Sequence, residues 1–325
     1  NGILVDPLDP EAIASALLEL LDDPERGREA SKNGLEGVRR HYTWQAHAAS
    51  YIEHVGELIA RPRREPLAWP AGQAARFRDR AIFTDIDQTL LGDKAALQEF
   101  CETIRRERKR VAFGVVSGRL TDGALAVLKK HGVPTPDVLI SGLGTRIHYG
   151  SSLSEDLHWS DHIDHDWNLP RIRRVVNGLP GLKLQERSKQ SRFKLSYYYD
   201  AKKAPPPEEI TTVLHQNELN ANVTVSFGQF LDILPARASK GQALRYVALR
   251  LDIPLEHILV AGGSGADEDM IRGNAMAVVV GNRHEEELSE LVDLERVYFS
   301  ERAHAGGLLD AFEHYHFLDR PDTAS

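Results

Sequence analysis

The chain has 325 residues, enough for two domains or for one domain carrying a large insertion. With 42% hydrophobic and 27% charged residues its composition is ordinary for a globular protein, and a net charge of -8 leaves no basic footprint for nucleic acid. A single cysteine, Cys101, excludes an intrachain disulfide and suits a reducing, cytoplasmic compartment, and no apolar run is long enough to span a membrane.

The sequence opens Asn1-Gly2-Ile3-Leu4-Val5, without an initiator Met or a signal-peptide pattern, and reads as starting mid-protein at a strand. Three helical stretches follow. The first carries Ile13, Leu17, Leu20 and Leu21 on one stripe, the second runs from Pro24 to Tyr42, and the third opens on Thr43 as a candidate N-cap. Residues 1–60 thus read as the end of a larger domain, because these helices cannot bury their apolar faces against one another alone. Residues 61–79, with Pro62, Pro66 and Pro70, read as a linker.

From Ala81 the pattern changes. AIFTDID, VAFGVVSGR, DVLISGLG, HILVAGGSG and AMAVVVGN are short apolar runs ending in glycine or polar residues, with helical segments between several of them. Such alternation predicts an α/β fold, a parallel sheet with helices on both faces and a ligand site at the ends of its strands. Residues 150–235 differ: FKLSYYYD and NVTVSFGQFLDILP alternate like strands of an antiparallel sheet, separated by the helix PEEITTVLHQNEL. They predict an inserted α+β cap, placed to exclude water from the strand ends. The core is then 80–149 and 236–318, with 319–325 as a tail.

Chemistry-bearing residues gather where strands end. Asp85 and Asp87 suit a nucleophile and a general acid/base, although Asp and Thr in DIDQT also make turns and caps. Ser117 and Gly118 can hold phosphate oxygens, or Ser117 can simply cap a helix. Lys240 opens a helix, where the positive end repels it unless an anion is near; a solvated lysine is the bland alternative. Asp267, Glu268 and Asp269 could serve magnesium or charge the first turn of a helix. HWSDHIDHD, with His158, His162 and His165, has metal-like composition but reads as a solvated loop and helix start. RRERKR (Arg105 to Arg110) reads as the cationic end of a helix, and Cys101 as a buried core thiol.

Taken in order, the nucleophile pair, serine, lysine and acidic loop resemble the haloacid dehalogenase-like phosphatase superfamily, with a cap of its second type. FTDIDQTLLGD, SGLGTRIHY, FKLSYYYD, LDILPARASKGQAL and HAGGLLDAFEHYHFL are similar to segments of the sucrose-6-phosphate phosphatases. The resemblance implies Asp85 as nucleophile and Asp87 as acid/base, with Thr89, Ser117, Gly118 and Lys240 binding phosphate. It implies sugar contacts from Gly144, Thr145, Lys194 and Asp232, whose bland alternatives are turn glycine, surface lysine and strand-end carboxylate. It implies Mg2+ held by Asp85, Asp87 and, through water, Asp267. Residues 1–60, with HYTWQAHAASYIEHV, resemble the last helices of a sucrose-phosphate synthase glycosyltransferase domain. The implied partners are a sugar phosphate, that upstream domain and a separate sucrose phosphatase, with no nucleic acid and no membrane.

One segment departs from the family. Where the phosphatases read GDSGND, this chain reads Gly262-Gly263-Ser264-Gly265-Ala266-Asp267. Gly263 replaces a direct magnesium ligand and Ala266 replaces an asparagine. The expectation is a phosphatase fold with a weakened Mg2+ site and little or no turnover. A working phosphatase and a non-catalytic docking tail stand as the alternatives.

Overall fold

The computed structural model describes residues 3, 5, 9–60, 78–284, 288 and 291–319. The chain divides into two units, Asn1–Trp69 and Pro70–Ser325. The strand expected at the start and the linker at 61–79 lie, apart from a few residues, outside the described ones, as does the tail beyond Asp319.

The first unit holds helices α1 (Pro10–Asp22), α2 (Pro24–His41) and α3 (Trp44–Ala60). Each starts on a side-chain cap that satisfies otherwise orphaned backbone donors. Asp9 accepts from Glu11 N and Ala12 N, Asp23 from Glu25 N and Arg26 N, and Thr43 from Ala46 N. Neither α1 nor α2 buries a residue, and Leu17, Leu21, Trp44 and Tyr51 are exposed. The apolar stripe read from the sequence therefore stays open within this unit.

In the second unit the apolar runs form β1 (Arg80–Thr84), β2 (Val111–Val116), β3 (Val138–Ser141), β4 (Arg146–Tyr149) and β5 (Ser154–Glu155). The cap contributes β6 (Leu182–Leu184), β7 (Leu195–Tyr199), β8 (Ala221–Ser226) and β9 (Phe230–Pro235). The chain then returns through β10 (Ile258–Gly262), β11 (Met276–Val279) and β12 (Val297–Phe299). The core sheet has the order β12-β11-β10-β1-β2-β3-β4-β5, parallel from β12 to β3 and antiparallel beyond. Its central strands are buried on both faces, which is why they read as unbroken apolar runs.

Helices cover both faces. α4 (Lys94–Glu107), α5 (Thr121–Lys130) and, at the C-terminus, Ala305–His314 pack on one side, where Phe100 meets Phe113 and Phe312 at ring distances of 5.9 and 6.0 Å. Burying such a side chain fully is worth about 1.5–3 kcal/mol. Cys101 is buried in this cluster. The basic run closes α4 as expected, with Arg105 and Arg106 in its last turn.

The other helices among the described residues are α6 (Leu157–Ile163), α7 (Leu169–Val176), α8 (Pro207–Gln216), α9 (Lys240–Leu251) and α10 (Glu268–Ile271), and the C-terminal Ala305–His314 is α11. In the cap, the antiparallel sheet β6-β7-β9-β8 packs Leu195, Tyr197, Leu231 and Ile233 against Ile172, Val176, Ile210 and Leu214 of α7 and α8. The two-residue strand period turns Lys194, Ser196, Asp232 and Leu234 to the other face. That face meets the core: Thr224 and Leu234 line a cavity of about 240 Å³ together with Leu143, Lys240, Ala266 and Asp269.

Three sequence expectations change. NVTVSFGQFLDILP is a hairpin, β8 and β9, turning through Phe227 (φ 54) and Gly228 (φ 60). HWSDHIDHD is largely the helix α6, capped by Asp156 and burying Trp159 and Ile163, and no metal-holding cluster exists among the described residues. Ser117 caps no helix, because α5 starts at Thr121.

The loop Gly142-Leu143-Gly144 wedges between the β2 end and the start of α9. Leu143 N bonds Ser117 O at 2.9 Å, and Gly144 has φ +92 with Ser239 O only 2.1 Å from where a Cβ would stand. Gly144→Ala is expected to cost at least about 1–3 kcal/mol from backbone strain alone. It should also displace the turn that carries Lys240, and thermal denaturation measures the loss.

Candidate active site

Asp85 sits one residue beyond β1, its amide continuing the parallel ladder to Ala261 O at 3.0 Å. The adjacent strand β10 leads into the turn carrying Asp267, and the cap returns to the core at Ser239, whose side chain caps α9. These elements bring three sequence-predicted residues into one cluster. Lys240 Nζ donates to Asp85 Oδ1 at 2.8 Å and to Asp267 Oδ1 at 2.6 Å, and all three side chains are buried. The solvated lysine is therefore excluded: the anion that rationalises a cation at a helix start is the carboxylate pair.

Burial is the main force on these groups. It pushes the Asp85 pKa up to about 7, the Lys240 charge opposing and the Asp267 charge adding to the rise. Burial alone would lower the Lys240 pKa, but the charges of Asp267 and Asp85 outweigh it and raise it. The two directions agree physically, since Lys240 faces two anions whereas Asp85 shares one cation with Asp267. A carboxyl raised above its unfolded value contributes stability that is present below about pH 4 and lost as pH rises through about 7. Asp85→Asn removes that loss. In chelator, the melting temperature of Asp85→Asn relative to the parent should therefore climb by several degrees between pH 5 and pH 8. A constant difference would contradict the raised pKa.

Asp87 does not join the cluster. Both its oxygens are held by the Arg119 fork, at 2.7 and 2.8 Å. Arg119 was not singled out as a site residue in the sequence, although its place after Ser117-Gly118 was the available signal. Thr89 is buried, and its Oγ1 has no hydrogen-bond partner among the described residues. Ser117 is fully buried on the next loop, where its Oγ accepts from Arg119 N at 3.2 Å. Gly118 packs under Leu143.

The expected sugar contacts divide. Thr145 is buried with its hydroxyl donating to Gly142 O at 2.9 Å, which ties it into the loop, and Gly144 O accepts from Trp159 Nε1 of the Leu157–Ile163 helix at 2.8 Å. In the cap, Lys194 and Asp232 form a buried ion pair at 2.8 Å, bridged by the Ser196 hydroxyl. A surface lysine is again excluded.

Phosphatases of this superfamily depend on Mg2+, which takes six oxygen ligands in near-octahedral geometry. The ion usually keeps several waters and needs only one or two carboxylates, and the carboxylates here are already partly engaged. Asp267 gives Oδ1 to Lys240, and its Oδ2 accepts from Gly263 N, Ser264 N and Ser264 Oγ, each at 3.0 Å. Gly263 offers no side-chain oxygen. Asp85 is left as the one carboxylate of the cluster whose second oxygen is not shared with Lys240 or the loop.

Comparisons with known proteins give the family and the fold. Residues 78–316 match the sucrose-6F-phosphate phosphohydrolase family. A mannosylfructose-phosphate phosphatase from Agrobacterium fabrum is 30% identical over 243 residues, covering 73% of this chain and 96% of that protein. A glucosylglycerol-phosphate synthase from Pseudomonas anguilliseptica is 28% identical over 75% of this chain, which spans only 32% of that protein. The sucrose-phosphatase of a Synechocystis species, solved with sucrose and phosphate, is 28% identical with a TM-score of 0.71, covering 74% of this chain and all of that one. The fold is the haloacid dehalogenase-like α/β fold with an inserted cap, and the chain belongs to the sucrose-6F-phosphate phosphohydrolase family.

Proposed function

We propose that this chain binds a sugar phosphate, sucrose-6-phosphate or a close analogue, between the Asp85–Lys240 cluster and the polar face of the cap, with weak or no turnover. The observation that carries this reading is the loop after β10. Gly263 brings no carboxylate there, and Asp267 is saturated by Lys240 and by the turn it closes. The phosphate group would lie against Thr89, Ser117, Gly118 and Lys240, with the sugar toward Gly144, Thr145, Lys194 and Asp232. The unpartnered Thr89 hydroxyl supports a polar occupant.

Residual hydrolysis would follow from the same residues. An Asp85 oxygen attacks phosphorus as the ester P–O bond breaks, and Asp87, protonated from solvent once it has left the Arg119 fork, gives that proton to the departing sugar oxygen. Water then attacks the aspartyl-phosphate, with Asp87 taking its proton, and phosphate leaves. Asp87 must first leave the Arg119 fork.

The parent protein, in this reading, is a sucrose-phosphate synthase that transfers glucose from a nucleotide-glucose to fructose-6-phosphate. Residues 1–60 would then close its glycosyltransferase domain. The exposed apolar side chains of α1 to α3 support a missing partner surface. So does the synthase relative, in which a region like this one occupies about a third of a longer protein.

A fully active phosphatase is the second reading, favoured by the intact Asp85–Lys240 pair. Calorimetric binding of sucrose-6-phosphate, paired with phosphate release in Mg2+, separates the possibilities. Binding with negligible release is the expected result. Release at an ordinary enzymic rate would establish the active enzyme, and neither binding nor release would leave a docking tail that recruits a separate phosphatase.

A further inference from the structure

The turn that carries Asp87 is held from the far end of the chain. Its middle residue, Gln88, has φ 59, and its carbonyl oxygen accepts from Asn282 Nδ2 at 2.7 Å. His304 Nδ1 lies 3.1 Å from the same oxygen, and the His304 backbone N–H donates to Asn282 Oδ1 at 2.9 Å. Gly281 N bonds Arg302 O at 2.9 Å, so the two distant loops are locked to each other before they reach Gln88.

His304 adopts φ 54 and ψ -141, a conformation that favours glycine, and it makes no side-chain cap for α11, which it precedes. Its imidazole instead lies against Gly92, where an added Cβ would stand 2.2 Å from Nε2. A strained histidine, a left-handed glutamine and a bare glycine thus converge on one carbonyl between Asp87 and Thr89. Strain of this kind persists only where the surroundings enforce it, and it gathers at sites where geometry matters.

We propose that His304 and Asn282 are a positioning pair that fixes the Asp87–Thr89 turn relative to the Asp85–Lys240 cluster. The proposal rests on the reading of Asp85 and Asp87 as the reacting carboxylates. In this proposal the imidazole is the Nδ1–H tautomer and donates to Gln88 O at 3.1 Å, the shorter of the two contacts of Nδ1, the other being Asn282 Nδ2 at 3.3 Å. Both residues act through the Gln88 carbonyl.

Two substitutions separate positioning from bulk packing. His304→Gly relieves the backbone strain and removes the donor. His304→Asn keeps the strained backbone conformation and can place an amide N–H where Nδ1 stood, but it lacks the ring that covers Gly92. The first readout needs no turnover: amide exchange at Leu90 and Leu91, both of which donate to Ile86 O in this turn. In the unmodified background, His304→Gly should speed it roughly tenfold, the worth of one hydrogen bond, without lowering the melting temperature. His304→Asn should restore slow exchange. The second readout uses Gly263→Asp, in which kcat should fall roughly tenfold on adding His304→Gly, with KM nearly unchanged, and recover with His304→Asn.

Unchanged exchange in His304→Gly, an asparagine variant as poor as the glycine variant, or an unaltered kcat would overturn the proposal. If Gly263→Asp has no turnover at all, the reading of the site fails, and the exchange measurement still decides whether the pair holds the turn.

Discussion

Lys240→Met is expected to lower stability by about 3–5 kcal/mol and to abolish phosphate binding. Methionine fills most of the same space, so packing is not what is lost. The variant leaves Asp85 and Asp267 buried with no cation between them, where Lys240 Nζ had been within 2.8 Å of both. Desolvation of an unpaired carboxylate is the costly part, and two are involved. The loss should shrink as pH falls, because protonating the carboxylates removes the uncompensated charge. Adding Asp85→Asn should recover part of it, since the pair is in contact and the two changes cannot be additive. Denaturant unfolding at pH 8 and pH 5, with phosphate binding followed by calorimetry, measures all three effects. A loss below about 1 kcal/mol, the range of a solvated ion pair, would show that the cluster is not shielded from water.

Much of the core was legible because its strands are buried on both faces. Ile82, Phe83, Val115, Val116, Leu259 and Val260 have no polar alternation to confuse the reading, and glycine or a polar residue marks each end. Lys240 shows the limit. Its local sequence could not distinguish a solvated side chain from a buried one, because the carboxylates that justify it lie 155 and 27 residues away. The β8–β9 hairpin was missed because its turn, Phe227-Gly228, places a bulky residue at a positive φ normally taken by asparagine or aspartate. In α6 the polar composition of HWSDHIDHD hid the real signal, Trp159 and Ile163 four residues apart on one buried stripe. The role of Arg119 is hidden from the sequence for a related reason. Its partner Asp87 lies on another strand end, and only the sheet order β1-β2 makes them neighbours.

Gly263→Asp is expected to raise Mg2+-dependent hydrolysis of sucrose-6-phosphate by roughly a hundredfold or more, a net gain of about 3 kcal/mol. The gross electrostatic effect of one charge at about 2–4 Å is larger, about 4–8 kcal/mol at an effective dielectric near 20, before desolvation is subtracted. Gly263 does not occupy the positive-φ region, so an aspartate meets no backbone penalty. Space is tighter: the new Cβ would stand 2.9 Å from Val280 Cγ2, but 3.6 Å from Thr89 Oγ1 and 3.8 Å from Arg283 Cα. The Val280 methyl must therefore give way, at a cost of about 1–3 kcal/mol if the strand cannot relax. An added carboxylate next to this cluster also raises its negative charge, which Lys240 alone does not balance when no Mg2+ is present. The variant should consequently melt below the parent in chelator and regain stability as Mg2+ is added, whereas the parent should respond little. Ala266→Asn, at the cavity wall, should add to the gain. These signs belong together, because the same carboxylate that destabilises the empty loop is the one that would bind the metal. If Mg2+ restores stability without hydrolysis, the metal site is repaired but the reading of Asp85 and Asp87 as the reacting carboxylates fails, with Asp87 simply held in the Arg119 fork.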